Sequence, residues 1–312
     1  MTGPLPAGAA GGRRRLALKV DCDTFLGTRA GLPSLLRVLA ARRIRATFFF
    51  TLGPDRSGRA IIRVFTRRGF LAKMIRSRAV SLYGPRTALY GTLLPAPMIG
   101  RRLASLIRSV GEAGHEVGVH GWDHVRWHDR LNRMTNAQIR DDYGRAHDEF
   151  ARIFGRRAAA SAAPGWHATA GSLAVQEAFA LRYASDTRGG TPFFPDAGGR
   201  RFRTLQVPTT LPTLDETWRS PALPNDDALV AHYRSAIAGT EVHSIHTEGE
   251  GTVFLPLFER QLDAWRADGV TFVTLDEIAG EWLAAPERIP VRRIVRGVLP
   301  GRAGEITASV PA

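Results

Sequence analysis

Hydrophobic positions along this chain alternate between two periods. Short apolar runs that are β-prone fall at Leu16 to Val20, Ala46 to Leu52 (with three phenylalanines) and Glu116 to His120. More follow at Ala158 to Ala162, Tyr183 to Ser185, Thr204 to Val207, Glu241 to Ile245 and Val270 to Thr274. Between them lie stretches with apolar residues three and four apart, as an amphipathic helix requires. These are Leu32 to Arg43, Ile99 to Ala113, Thr135 to Phe154, Ser172 to Ala180, Ala228 to Ile237 and Leu255 to Asp268. Gly114 and Gly155 supply stop signals, and Thr135 is a ready N-cap.

Strands alternating with helices predict an α/β fold built on a mostly parallel sheet covered by helices. The strand count fits a closed or nearly closed barrel, with an open doubly wound sheet as the alternative. In both, chemistry belongs at the C-terminal ends of the strands. The expected organisation is a flexible segment over 1–15, one barrel over 16–285 and a C-terminal tail over 286–312.

Composition adds three constraints. With 44% apolar residues in 312, a sizeable core can form. The formal charge is +14, and all but two of the 43 cationic side chains are arginine, which points to an anionic partner. Cys22 is the only cysteine, so no internal disulfide forms. The Gly/Ala/Pro-rich start has no signal-peptide core, and no apolar run approaches the roughly eighteen residues of a spanning helix. The expectation is a cytoplasmic protein, peripheral to a membrane.

The polar residues that end the strands supply candidate chemistry. Asp21 and Asp23 flank Cys22 at the end of the first strand. His120 and His124 are four apart, and share a face if the chain turns helical after its strand. His246 ends a later strand, with Glu248 and Glu250 following. Together they provide every part of one reaction. One carboxylate and two imidazoles hold a divalent ion with open positions, a second carboxylate acts as base, and a histidine protonates a poor leaving amine. Zinc suits that donor set, and manganese, cobalt or nickel also fit.

On these motifs the chain resembles the polysaccharide deacetylase superfamily (NodB homology, carbohydrate esterase family 4) from about Leu16 to about Gly304. The resemblance implies a distorted (β/α)7 barrel. It implies Asp21 as base, Asp23, His120 and His124 as metal ligands, and His246 as acid, oriented by Asp186. The stretches 23–29, 115–124 and 211–216 are similar to a subgroup that removes formyl from an amino-arabinose carried on undecaprenyl phosphate, a step in lipid A modification. General members carry Arg-x-Pro, whose arginine pairs with the base. Here Ala162 stands at the arginine position of Ser161-Ala162-Ala163-Pro164-Gly165-Trp166, as in the subgroup. Arg188 is then a candidate to set the charge of Asp21. Gly165 is the expected oxyanion donor, beside Trp166.

From Arg56 to Gly111 there are twelve basic residues and no acidic one. On a helix Arg59, Arg63 and Arg67 line one face, with Ile61, Ile62 and Phe65 opposite. This insertion is expected to dock on an anionic membrane surface, the inner membrane's cytoplasmic face, and to receive the polyprenyl phosphate. Nucleic acid is disfavoured because no recognisable binding motif accompanies the charge. Two other functions compete. An N-deacetylase of a soluble amino sugar or glycan would release acetate, and a non-catalytic lipid-phosphate binding module would not need the complete catalytic set.

Overall fold

The computed structural model describes residues 13–60, 86–218, 220–299, 301–302 and 304–311. Arg63 and Arg67, the expected apolar face beside them and most of the expected flexible start lie outside the described residues. The first strand, β1 (Arg15–Cys22), is the hub. Its run Leu-Ala-Leu-Lys-Val is wholly buried, as expected for a strand covered on both faces. β9 (Thr240–His246) lies along one side of it. On the other side its first half pairs with β10 (Thr271–Val273) and its second half with β2 (Thr47–Phe50).

Beyond β2 the sheet continues through β3 (Glu116–Val119), β4 (Ala160–Ser161), β5 (Tyr183–Ala184) and β8 (Leu205–Gln206), every pair parallel. After β8 the chain turns back towards β9, where the Thr210 and Leu211 N–H groups donate to Val242 O at 3.0 and 3.1 Å. The seven parallel strands β9, β1, β2, β3, β4, β5 and β8 therefore form a curled sheet, as the expected distorted barrel requires.

Helices cover the outside. Phe25–Ala41, Ala104–Glu112, Asn136–Phe154 and Leu255–Ala267 close the main core, where Leu32, Leu35, Phe48, Phe50, Ile107, Phe150, Phe258 and Trp265 are buried. Thr135 caps Asn136–Phe154 through a reciprocal capping box with Gln138, and Gly155 ends it in the left-handed conformation at φ 68°.

One element departs from the expected organisation. The stretch 286–312 is not a plain tail. β11 (Val291–Val298) and β12 (Glu305–Pro311) pair antiparallel, and β11 lies parallel to β6 (Phe194–Ala197), which hairpins with β7 (Arg200–Arg201). This second sheet packs beside the barrel mouth, and the Arg188 N–H donates to Thr307 O at 2.9 Å.

Candidate active site

The register of the sheet assembles the site. Asp21 on β1 and His246 on β9 are directly paired positions, and β3 delivers His120 one residue past its end. Asp23 lies just beyond β1. His120 Nε2 is 3.2 Å from Asp23 Oδ1, His124 Nε2 is 3.4 Å from Asp23 Oδ2, and His120 Nδ1 is 3.8 Å from Asp21 Oδ1. The two imidazoles meet with ring centroids 5.4 Å apart. They do not share a helix face as the spacing suggested. Gly121 turns the chain at φ 93°, and Asp123 then caps a helix that starts only at His124, accepting from the Arg126 N–H at 2.9 Å. A tight turn therefore brings His120 beside the first helical residue. Arg56 grips the other Asp123 oxygen and ties the start of the basic insertion to this turn.

The donor set fits a metal. One ligand atom each from Asp23, His120 and His124 lies within 4.8 Å of the others. Asp23 Oδ1 and His120 Nδ1 are buried with no hydrogen-bond partner among the described residues. Burial opposes ionisation of Asp23, yet the two imidazoles beside it, His124 and His120, hold it well below the usual carboxylate range. Burial lowers His124 to about 4, leaving its imidazole neutral and free to ligate.

His246 has the opposite character. Burial would lower its pKa, but the carboxylates of Asp23, Asp21, Asp215 and Glu250 together raise it to about 9. Glu250 also accepts from the His246 backbone N–H at 2.9 Å. The expected contact from Asp186 is not made: its Oδ2 accepts from Gln176 and Gln206, and its Oδ1 has no partner among the described residues. Burial raises Asp186 to about 6 against those hydrogen bonds and the charge of Lys19. Arg188 likewise does not pair with Asp21. Its guanidinium meets both Glu216 oxygens at 3.2 Å and Leu211 O at 3.0 Å.

Asp21 instead meets a residue that the sequence reading passed over. Lys19 Nζ donates to Asp21 Oδ2 at 2.6 Å, with both side chains buried. The signal was available, because residues two apart on a strand point the same way. Beside this pair, Gly165 adopts φ 63° and Trp166 φ 55°, a backbone state rare for a bulky residue. Trp166 is held there by its indole N–H, which donates to Thr209 at 3.0 Å, and by cations around its ring: Arg302 at 4.5 Å, Arg188 at 4.8 Å and Lys19 at 5.3 Å. Arg302, which also reaches Glu216 at 3.5 Å, was likewise missed, because it belongs to the segment read as a tail.

A curled parallel sheet with an Asp-His-His cluster, a carboxylate and a histidine at its C-terminal rim defines a class of metal-binding hydrolases. Residues 10–184 match the polysaccharide deacetylase family model, and the chain belongs to that family. It is 37% identical over 270 residues, 85% of each chain, to a Shewanella sediminis protein named as a probable 4-deoxy-4-formamido-L-arabinose-phosphoundecaprenol deformylase, ArnD. A protein of the same name from Wigglesworthia glossinidia brevipalpis is 32% identical over 289 residues, 90% of this chain and 97% of the relative. The fold is also that of a crystal structure of a probable polysaccharide deacetylase from Pseudomonas aeruginosa PAO1, with a TM-score of 0.61 at 17% identity, covering 90% of this chain and 95% of that one. The crystal structure of PuuE allantoinase is similar too, with a TM-score of 0.60 at 18% identity over 91% and 95%.

Proposed function

We propose that this chain hydrolyses the formamide of 4-deoxy-4-formamido-L-arabinose linked to undecaprenyl phosphate, releasing formate and the 4-amino sugar lipid. The observation that carries the reading is the convergence of Asp21, Asp23, His120, His124 and His246, joined to the identity with the two relatives named for this reaction. Asp23, His120 and His124 hold a divalent ion, which when bound supplies Lewis-acid polarisation of the amide carbonyl and acidifies water. Asp21 takes the proton of the attacking water, and a C–O bond forms at the formyl carbon. His246, whose protonated form the nearby carboxylates favour, gives its proton to the nitrogen as the C–N bond breaks. The Gly165 N–H, next to the pinned Trp166, is the proposed donor to the developing oxyanion. Two imidazoles and a carboxylate favour zinc, with manganese, cobalt or nickel as other occupants.

The substrate's lipid calls for contact with a membrane. Among the described residues no helix is long and apolar enough to cross one. Docking through the basic insertion is the proposed mode, with Arg59, Arg63 and Arg67 meeting anionic headgroups. Arg59 Nε reaches Gly91 O at 3.0 Å, and Leu93, two residues on, is 82% exposed.

The test is mass spectrometry of the lipid-linked formamido sugar after incubation with the protein, with and without a chelator. Loss of the formyl group, stopped by the chelator and restored by added metal, is the expected result. Release of acetate from a soluble N-acetyl sugar, with the lipid substrate untouched, would favour the glycan deacetylase reading instead. Binding of the lipid without turnover by the metal-loaded protein would leave only a binding module.

A further inference from the structure

The family's arginine partner for the base is missing here, since Ala162 occupies its position, yet the Asp21 carboxylate is buried and buried carboxylates need a polar partner. We propose that Lys19 is the positioning residue for the base: it replaces that arginine from within β1 and aims the Asp21 carboxylate at the reacting water. Four observations converge. The Lys19 Nζ to Asp21 Oδ2 distance is 2.6 Å. Lys19 is wholly buried, in the middle of an otherwise apolar strand run, where an unpaired ammonium would be untenable. The aromatic rings of Trp166 and Phe49 lie 5.3 and 5.8 Å from the ammonium and wall it from water. Finally, it is one of only two lysines in a chain whose cations are otherwise arginine, so the composition does not account for it. With Oδ2 fixed by Lys19, Oδ1 is the oxygen left for chemistry. It has no hydrogen-bond partner among the described residues and lies 3.8 Å from His120 Nδ1.

Because this inference rests on the proposed hydrolysis, its test separates the two. Lys19→Met, Asp21→Asn and the double variant are assayed as metal-loaded proteins. The expected result is a loss in kcat of roughly a hundredfold or more for Lys19→Met, with KM and bound metal little changed. In the Asp21→Asn background, Lys19→Met should then cost little further, because the lysine acts through the carboxylate. Equal losses in both backgrounds would overturn the inference, as would full activity of Lys19→Met. If Lys19→Met does not fold, Lys19→Met/Ala162→Arg supplies a cation from β4's end. Recovered turnover supports the assignment, and a folded but inactive double variant refutes it. If the wild-type protein turns over no amide at all, the functional reading fails instead. The pairing is then read from thermal unfolding of the wild type, Lys19→Met, Asp21→Asn and Lys19→Met/Asp21→Asn, where strong non-additivity between positions 19 and 21 is expected and additivity counts against it.

Discussion

Replacing Gly31 with alanine should misplace His246, the proposed general acid, without touching it. Gly31 lies in the helix Phe25–Ala41 with an ordinary negative φ, so alanine there has no backbone strain and the effect is purely steric. The new Cβ would stand 1.9 Å from Thr247 O, the backbone of the residue after His246, and ordinary contact begins at about 3.4 Å. The gap must therefore open by about 1.5 Å. Gly251 backs onto the same glycine, so the turn 247–251 has no slack on that side. The short turn yields before the 17-residue helix does, and His246 moves with it. Overpacking of this kind costs ~1–3 kcal/mol. A displacement of about 1 Å at a catalytic group costs roughly a hundredfold in rate. Gly144→Ala is the control. It lies inside the helix Asn136–Phe154 with nothing within 4 Å of the new methyl. It should be neutral or stabilising by ~0.5–1 kcal/mol through helix propensity. Urea unfolding and steady-state kinetics on both variants decide the matter. A Gly31→Ala protein with wild-type midpoint and kcat would refute the claim that this contact sets the position of His246.

Three further outcomes are expected. Glu216→Gln leaves the guanidiniums of Arg188 and Arg302 without their shared carboxylate, and should cost ~3–5 kcal/mol in denaturant unfolding, whereas Asp227→Asn at the exposed pair with Arg260 should cost less than ~1 kcal/mol. Burial raises the pKa of Asp142 to about 7, with Arg126 opposing from 3.2 Å. Its folded pKa thus lies above its unfolded one, and its burden on stability is absent below about pH 4 and grows as pH rises to 7. Asp142→Asn should then gain stability relative to wild type over that window, by at most ~4 kcal/mol, and a gap that does not change with pH would contradict the assignment. Neutralising Arg59, Arg63 and Arg67 together should weaken co-sedimentation with vesicles of anionic lipid while leaving bound metal unchanged, and undiminished sedimentation would exclude docking through that face.

Most of the sheet was legible because parallel strands buried on both faces read as short apolar runs, and all eight expected runs carry a strand or its flank. What escaped has a physical cause in each case. β6, β7, β11 and β12 form a small sheet with mixed exposure, and Arg200–Arg201 or Val291–Val298 offer no continuous apolar run. The helix Leu275–Leu283 had a signal that went unread, the Thr274 to Glu277 capping box. The Asp23, His120 and His124 cluster was readable from type and spacing, although the helical face invoked for His120 and His124 is in fact a turn at Gly121. The partners of Asp186 and Arg188 were not readable, because Gln176, Gln206 and Glu216 come from distant segments, and a motif does not specify which buried polar group another will meet.

The gathering of candidate site residues on and just past β1 follows from its place in the sheet. Among the described strands it alone pairs with β2, β9 and β10, so a side chain on it faces neighbours from both ends of the sequence. Alternation puts Lys19 and Asp21 on one face, and Asp23 leaves the strand just where His120 arrives from β3. The pairing of Asp21 with His246 fixes the proposed base and acid at one level across the site. A one-residue slip between β1 and β9 would turn His246 to the opposite face. On the proposed mechanism, register is therefore a catalytic parameter as much as a folding one. Its strength comes from the apolar neighbours Leu16, Leu18, Val20 and Ile245, all fully buried in the main core. Substitutions that loosen this seam should depress kcat before they unfold the protein, because the chemistry senses strand alignment at a scale that global stability does not.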